Sequence, residues 1–170
     1  YDDLTVKQCL TYRTEIQRLH PSDRTEAIRW ASSSVKLEDR LDQKAGELSR
    51  GLRQRLAIGQ AIIHRPKLLL LDEPASGLDP EARDDLASLL TSLRDAGMTI
   101  VVSSHILAEL EAYSSHMLII DQGQIVDHAG VGAPSTLGDT VQIMVALSEP
   151  HTDLQNLLAD KVENLDLSDK

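Results

Sequence analysis

The sequence predicts an α/β protein in which a helical segment precedes a parallel-sheet βαβ core and a C-terminal β-hairpin. Three observations predict this order. Amphipathic stretches fill residues 1–45, the four leucines of residues 68–71 run into two carboxylates, and Gly123 separates two aliphatic runs. Apolar residues at intervals of three and four favour helices, whereas short aliphatic runs favour buried strands. Aromatic residues make up only 2% of the chain, so aliphatic side chains must fill the core.

Two helices are predicted before residue 45. Thr5 is expected to cap the first, because a hydroxyl at that place accepts a hydrogen bond from a free backbone N–H group. The second is expected to begin after residues 21–23, and residues 37–44 form a polar connection. Nothing in this segment indicates catalysis. The apolar stripe of the first helix comprises Val6, Cys9, Leu10, Ile16 and Leu19.

Ser49 and Gly51 are expected to open a third helix, which ends at Pro66. The free backbone N–H groups of a helix N-terminus carry partial positive charge, so this end can hold a phosphate. Gly51 permits close approach to the backbone, and Arg50 adds a positive charge. The alternative is an ordinary serine cap on a surface helix whose arginines are solvated.

Residues 68–71 predict a strand buried on both faces, as in a parallel sheet covered by helices. Asp79 and Pro80 are N-cap and first-turn signals for a following helix, and Gly97 is its expected C-terminal glycine. Residues 98–102 then predict a second strand. A strand, a helix and a strand in this order form a βαβ unit, whose two strands run parallel.

Polar side chains follow both predicted strands. Asp72 and Glu73 follow the first, and His105 follows the second. Because the strands are predicted to be parallel, these three side chains are expected at the same edge of one sheet. Ligands bind at this edge in open α/β sheets, and an acidic residue there commonly holds Mg²⁺ for a nucleotide. The alternative is that the two carboxylates only terminate an apolar strand.

The C-terminal region predicts a short helix, a β-hairpin and, after a linker, one more strand. Gly123 supports the tight turn of the hairpin, because glycine adopts the left-handed backbone that such turns need. The predicted bounds are residues 106–113 for the helix, 116–120 and 124–127 for the hairpin, 130–139 for the linker and 141–145 for the last strand.

Charge and composition limit the classes of function. The net charge is −10, yet residues 46–65 carry four basic and one acidic side chain, whereas residues 66–170 carry five basic and eighteen acidic ones. Such a chain is a poor general nucleic-acid binder, and its basic cluster suits a local anion site. The longest aliphatic run has four residues, far too few to span a membrane. The single cysteine, Cys9, and the lack of a leader segment predict a cytoplasmic protein.

Four motifs occur in an order that resembles the nucleotide-binding domain of ATP-binding cassette (ABC) ATPases. Residues 48–55 (LSRGLRQR) are similar to the signature motif, 68–73 (LLLLDE) to Walker B with its glutamate, 75–79 (ASGLD) to the D-loop and 103–105 (SSH) to the H-loop. The resemblance implies part of a P-loop NTPase fold. The signature differs from the common Leu-Ser-Gly-Gly-Gln at Arg50 and Leu52. Arg50 together with residues 72–80 (DEPASGLDP) looks most like the branch that powers ABC-2-type exporters.

The resemblance implies ATP and Mg²⁺ as cofactors and a role for each motif residue. Asp72 would position Mg²⁺, Glu73 would orient or deprotonate the attacking water, and His105 would contact the terminal phosphate. The signature of one domain would close over ATP held by a second ABC ATPase domain, paired head to tail, and the D-loop would line the seam. This dimer would drive a membrane-spanning permease at the inner face of the cell membrane. The signature residues are Ser49, Arg50, Gly51 and Leu52, and the D-loop residues are Ser76, Gly77 and Asp79.

A Gly-rich phosphate-binding loop (Gly-x-x-x-x-Gly-Lys-Ser/Thr) and a Q-loop do not occur in the 170 residues. The chain is therefore interpreted as the C-terminal part of such an ATPase, which alone is expected to bind ATP weakly and hydrolyse it negligibly. Its predicted parts are a helical subdomain (1–45), the motif-bearing core (46–129) and a linker with an extension (130–170). The alternatives are a natural half-domain that only pairs with another ATPase, and a soluble ABC protein without a transport role.

Overall fold

The computed structural model describes residues 2–106, 110, 113–121, 124–130 and 143–147. The predicted α/β order is confirmed within them. The short 3₁₀ turns Glu38–Arg40 and Ala45–Glu47 join the second helix to the third. In chain order the elements are α1 (Val6–Ile16), α2 (Pro21–Ser34), α3 (Arg50–Ile62), β1 (Leu68–Asp72), α4 (Pro80–Asp95), β2 (Thr99–Ser103), β3 (His116–Asp121), β4 (Gln124–Gly130) and β5 (Ile143–Leu147).

The first helix begins where its capping signal predicts. The Thr5 hydroxyl accepts a hydrogen bond from the Gln8 N–H at 3.1 Å, and the Gln8 side chain accepts one from the Thr5 N–H at 2.8 Å. These two bonds satisfy two donors that a helix start otherwise leaves free. Ile16 was predicted to be part of the buried stripe, but it lies in the last turn of α1 and is 49% exposed. Leu19, beyond the end of α1, is partly buried and packs against the core, so Ile16 is the one member of the predicted stripe that is exposed.

The second helix begins earlier than predicted. Its first residue is Pro21, where the missing N–H costs nothing because no helical partner exists there. His20 is the N-cap, and its Nδ1 accepts a hydrogen bond from the Ser22 N–H at 3.4 Å. Imidazole is not among the usual capping groups, so the sequence pattern did not indicate this start.

The helices and the sheet share one aliphatic core. Val6 and Leu10 of α1, Ile58 and Ile62 of α3, and Ile100 of β2 are each at most 1% exposed. Helix α3 packs against α1, α2 and α4, and α4 in turn packs against β2. No helix in the described part of the chain is both long and apolar enough to cross a membrane.

The described strands form one sheet in the order β1-β2-β5-β3-β4. β1 and β2 are parallel, with Asp72 opposite Ser103, which confirms the predicted βαβ unit. β3 and β4 form the predicted antiparallel hairpin, and β5 lies between β2 and β3, parallel to both. Gly130, predicted as the start of the linker, is the last residue of β4. The rest of the predicted linker and most of the predicted helix at 106–113 lie outside the described residues.

Strand β1 is buried on one face only, so the prediction that both faces are buried is wrong. Leu69 belongs to the same core as Leu86 and Leu90 of α4 and is 4% exposed. Leu68 and Leu70 are 49% and 57% exposed. Successive side chains of a strand point to opposite faces, so four leucines in a row place two on each face. The described elements cover only one of these faces.

Candidate functional site

The carboxyl ends of β1 and β2 are joined by a small hydrogen-bonded group. Asp72 and Ser103 lie opposite each other in the strand register, so their side chains are neighbours. The Ser103 hydroxyl donates to Asp72 Oδ1 and accepts from the Glu73 backbone N–H at 3.1 Å. The same N–H also donates to the Ser103 carbonyl oxygen at 3.1 Å. Hydrogen bonds thus hold Glu73, the first residue after β1, against the last residue of β2.

Glu73 and His105 meet at this edge. His105 Nδ1 lies 3.0 Å from Glu73 Oε1, and the two side chains are 60% and 45% exposed. The structure therefore brings Asp72, Glu73 and His105 together at one edge of the sheet, where the βαβ unit predicted them. Their exposure leaves room for a ligand to reach Glu73 Oε2 and His105 Nε2.

The turn that carries the chain from β1 to α4 begins in an unusual backbone conformation. Glu73 has φ +41°, in the left-handed region that residues other than glycine seldom adopt. Such residues cluster at functional sites, where surrounding contacts hold them in place. Here the two hydrogen bonds to Ser103 hold the Glu73 N–H, and the Ser76 N–H donates to the Glu73 carbonyl at 3.0 Å.

The residues predicted as a signature motif form the N-terminus of α3. Ser49 is the N-cap, and its hydroxyl accepts a hydrogen bond from the Leu52 N–H at 3.3 Å. Gly51 lies against the first turn of α4, where an added Cβ would lie 2.9 Å from the Ala82 Cβ. Glycine at this position therefore has a packing reason within the chain itself.

Arg50 links this helix start to the turn after β1. Its guanidinium lies so close to Gly77 that an added Cβ would overlap it, and Gly77 has φ +66°. The left-handed backbone favours glycine at position 77, whereas the guanidinium is the end of a flexible side chain and can move aside. Asp79 then caps α4 as predicted, accepting a hydrogen bond from the Ala82 N–H at 2.9 Å. The predicted signature and D-loop residues are therefore neighbours.

A polar cavity of about 370 Å³ lies between the starts of α3 and α4. Ser49, Gly51 and Leu52 line it, and an ion pair between Arg55 and Asp85 joins the two helices there. Because its lining carries both signs of charge, the cavity by itself does not favour an anion. Its charged residues are Lys36, Asp39, Arg40, Arg55, Asp79, Glu81 and Asp85.

Comparison with known proteins decides the family. A family model described as ABC transporter matches residues 3–76. The Nod factor export ATP-binding protein I of Cupriavidus metallidurans is 37% identical over 135 residues, which are 76% of this chain and 44% of that protein. The chain belongs to the ABC ATPase family. The bacitracin transport ATP-binding protein BcrA of Bacillus licheniformis is 36% identical over 128 residues, 75% of this chain and 41% of that protein.

The solved structure of an ABC ATPase agrees with this assignment. The ADP conformation of MJ1267, described as an ATP-binding cassette of an ABC transporter, matches with a TM-score of 0.66 at 26% identity. The match covers 76% of this chain and 56% of MJ1267. The chain therefore has part of the P-loop NTPase fold of an ABC cassette, and it spans less than half the length of the two sequence relatives.

In this ABC ATPase chain, Asp72 suits a Mg²⁺ ion that is held mainly by phosphate and water. The described residues contain no group of three His, Cys, Asp or Glu side chains that could hold a metal ion. Mg²⁺ usually keeps several waters and is bound by one or two carboxylates together with substrate phosphates. Because Ser103 occupies Oδ1 of Asp72, Oδ2 is left for such an ion. The residues present therefore fit Mg²⁺ that arrives with a nucleotide.

Sequence reasoning named Ser103 only as part of a motif and missed its contact with both carboxylate-bearing residues. The pairing register of β1 and β2 is the feature that would have predicted this contact. The second strand was predicted over residues 98–102, and the structure shifts it to Thr99–Ser103. Pairing the last residues of the two strands then places Ser103 opposite Asp72.

Proposed function

We propose that the chain is the C-terminal part of the ATP-binding subunit of an ABC exporter. In the complete protein, ATP hydrolysis between two such domains paired head to tail would drive a membrane-spanning permease, with the ATPase on the cytoplasmic face of the membrane. The meeting of Asp72, Glu73 and His105 at a ligand-binding edge carries this proposal. Export is supported by Arg50 together with residues 72–80 (DEPASGLDP), and by a relative named for Nod factor export.

The contacts at the sheet edge support one role for each side chain. Asp72 would hold Mg²⁺, which neutralises charge on the phosphates when it is bound. Glu73 would orient the attacking water and take its proton through Oε2, because Oε1 faces His105. His105 would keep Glu73 in place through Nδ1 and contact the terminal phosphate through Nε2.

The signature residues would act on the nucleotide of a second domain. Ser49, Arg50, Gly51 and Leu52 form a helix N-terminus, whose free N–H groups suit a terminal phosphate. The D-loop residues, Ser76, Gly77 and Asp79, would line the seam between the two domains. Because Arg50 lies against Gly77, a movement of the signature segment would also displace the D-loop segment. ATP would thus join the domains, and its hydrolysis would release them.

A half-domain that only pairs with another ATPase is the second candidate. The 170 residues contain no Gly-rich loop whose amides and lysine would bind phosphates, and the coding sequence ahead of Tyr1 decides whether the complete protein has one. The arrangement of Asp72, Glu73 and His105 favours the hydrolytic candidate instead, because a non-hydrolysing domain has no need of it. The 170-residue chain alone is expected to bind ATP weakly. Calorimetry that gave a micromolar dissociation constant would contradict this expectation.

The test requires the complete protein. The coding sequence ahead of Tyr1 is determined first. A Gly-rich phosphate-binding loop encoded there would rule out the half-domain candidate. Glu73→Gln is then compared with Glu38→Gln, which alters an exposed glutamate in a 3₁₀ turn. Glu73→Gln is expected to slow ATP turnover while ATP-dependent dimer formation, measured by analytical ultracentrifugation, persists. Normal turnover, or loss of dimer formation in Glu73→Gln alone, would contradict the proposed roles.

A further inference from the structure

The geometry points to Ser103 as a positioning residue that sets Asp72 and the backbone of Glu73 through a single hydroxyl. This inference rests on the proposed function, because Asp72 is the residue that would hold Mg²⁺. Ser103 itself would touch neither nucleotide nor metal. It would act by presenting Asp72 Oδ2 to the ion in one orientation.

The direction of each hydrogen bond at Ser103 is fixed by chemistry. The Glu73 backbone N–H can only donate, so the Ser103 oxygen must accept from it, at 3.1 Å. The Asp72 carboxylate can only accept, so the single hydroxyl proton of Ser103 must point to Asp72 Oδ1. The Ser103 hydroxyl therefore makes both hydrogen bonds at once. Together they fix the rotation of its O–H bond.

The surroundings of Ser103 make this hydroxyl hard to replace. Ser103 is 5% exposed, so water has poor access to take over its bond to Asp72. The strand register places Ser103 directly opposite Asp72, and the left-handed turn at Glu73 begins one residue later. Loss of the hydroxyl would leave the Glu73 N–H with the Ser103 carbonyl, but would remove the only donor that the described structure gives to Asp72.

The neighbouring serine provides a matched control. Ser104 is equally buried, at 6% exposure, and also accepts a backbone hydrogen bond, from the Ile106 N–H at 3.1 Å. Its hydroxyl contacts neither Asp72 nor Glu73 in these hydrogen bonds. Ser104→Ala therefore removes a buried hydroxyl of the same kind without touching the proposed function of Ser103. Ser103→Thr keeps the hydroxyl in a residue that strands favour and serves as the conservative rescue.

The first arm of the test uses the complete protein and needs no nucleotide. Three-bond N–Cγ and C′–Cγ NMR couplings report whether Asp72 occupies one χ1 rotamer or averages over several. We expect a single rotamer in the wild type, Ser104→Ala and Ser103→Thr, and rotamer averaging in Ser103→Ala. Unchanged Asp72 couplings in a folded Ser103→Ala chain would overturn the proposal.

The second arm measures the Mg²⁺ concentration that gives half-maximal ATP turnover in the complete protein. Ser103→Ala is expected to raise it about tenfold, the lower end of what losing a partner of a metal ligand costs. Ser103→Thr should restore most of that loss. Ser32→Ala, which removes a buried hydroxyl bonded to the Arg29 carbonyl oxygen in α2, should match the wild type. A Ser103→Ala protein with lower thermal stability but the wild-type Mg²⁺ dependence would also overturn the proposal. Failure of the wild-type protein to hydrolyse ATP would instead contradict the proposed function, and the coupling measurement would still decide the role of Ser103.

Discussion

The contact between the starts of α3 and α4 provides the sharpest prediction for stability. A Cβ at Gly51 would lie 2.9 Å from the Ala82 Cβ, whereas carbon atoms in van der Waals contact are about 3.5–4.0 Å apart. Gly51→Ala must therefore push the two helices apart by roughly 0.6–1.1 Å, the difference between these distances. Overpacking of this kind costs about 1–3 kcal/mol, and the higher helix propensity of alanine returns about 0.5–1 kcal/mol. The expected net loss is about 1 kcal/mol.

The assay is urea unfolding followed by circular dichroism, with the free energy of unfolding obtained by linear extrapolation. Ala82→Gly removes the opposing methyl group, so the double variant Gly51→Ala/Ala82→Gly is expected to be more stable than the sum of the single changes predicts, by about 1 kcal/mol. This coupling separates the clash from any general effect of alanine at a helix start. A Gly51→Ala chain at least as stable as the wild type, or additivity within about 0.3–0.5 kcal/mol, would refute the packing argument.

Two further predictions concern burial. Leu69→Ala should lower the free energy of unfolding of the 170-residue chain by about 2–5 kcal/mol, while Leu70→Ala should change it by less than about 0.5 kcal/mol. Losses of similar size in the two variants, measured by urea unfolding, would contradict the one-sided burial of β1. Burial raises the pKa of the Cys9 thiol, so iodoacetamide should modify it slowly in the folded chain and rapidly in urea. The folded chain holds the thiol proton more tightly than the unfolded chain, because the folded-state pKa is raised above the ordinary thiol pKa of 9.0. The stability that this group contributes is therefore full at neutral pH and declines as the pH rises above about 9. Cys9→Ala should flatten that decline in urea titrations at several pH values, and a wild-type stability that rises in this range would contradict the sign.

Local signals in the sequence were sufficient for much of the fold. Ser49 and Asp79 begin helices because their side chains accept from free backbone N–H groups, an interaction that spans only three residues. The shared position of Asp72 and His105 at one edge followed from the βαβ order, because parallel strands end on the same side. The geometry of the candidate site was therefore predictable where it depends on caps and on chain direction.

Other features depend on contacts between distant residues and could not be predicted. Four consecutive leucines show no alternation, so the exposure of Leu68 and Leu70 is decided by which elements cover the sheet. The place of β5 between β2 and β3 pairs Ile143 with Val101 and with His116, which lie about 42 and about 27 residues earlier in the chain, and no local pattern indicates such pairings. The contacts of Ser103 with Asp72 and Glu73 likewise require the strand register.

The most direct test of the central claim is the rate of ATP turnover in the complete protein with Glu73→Gln, measured under single-turnover conditions beside Glu38→Gln. If Glu73 takes the proton of the attacking water at the edge it shares with Asp72 and His105, the rate should fall by about 10²–10⁴-fold, as expected for loss of a general base, and Glu38→Gln should match the wild type. A Glu73→Gln rate equal to that of the wild type would contradict the claim that this edge of the sheet performs the hydrolysis.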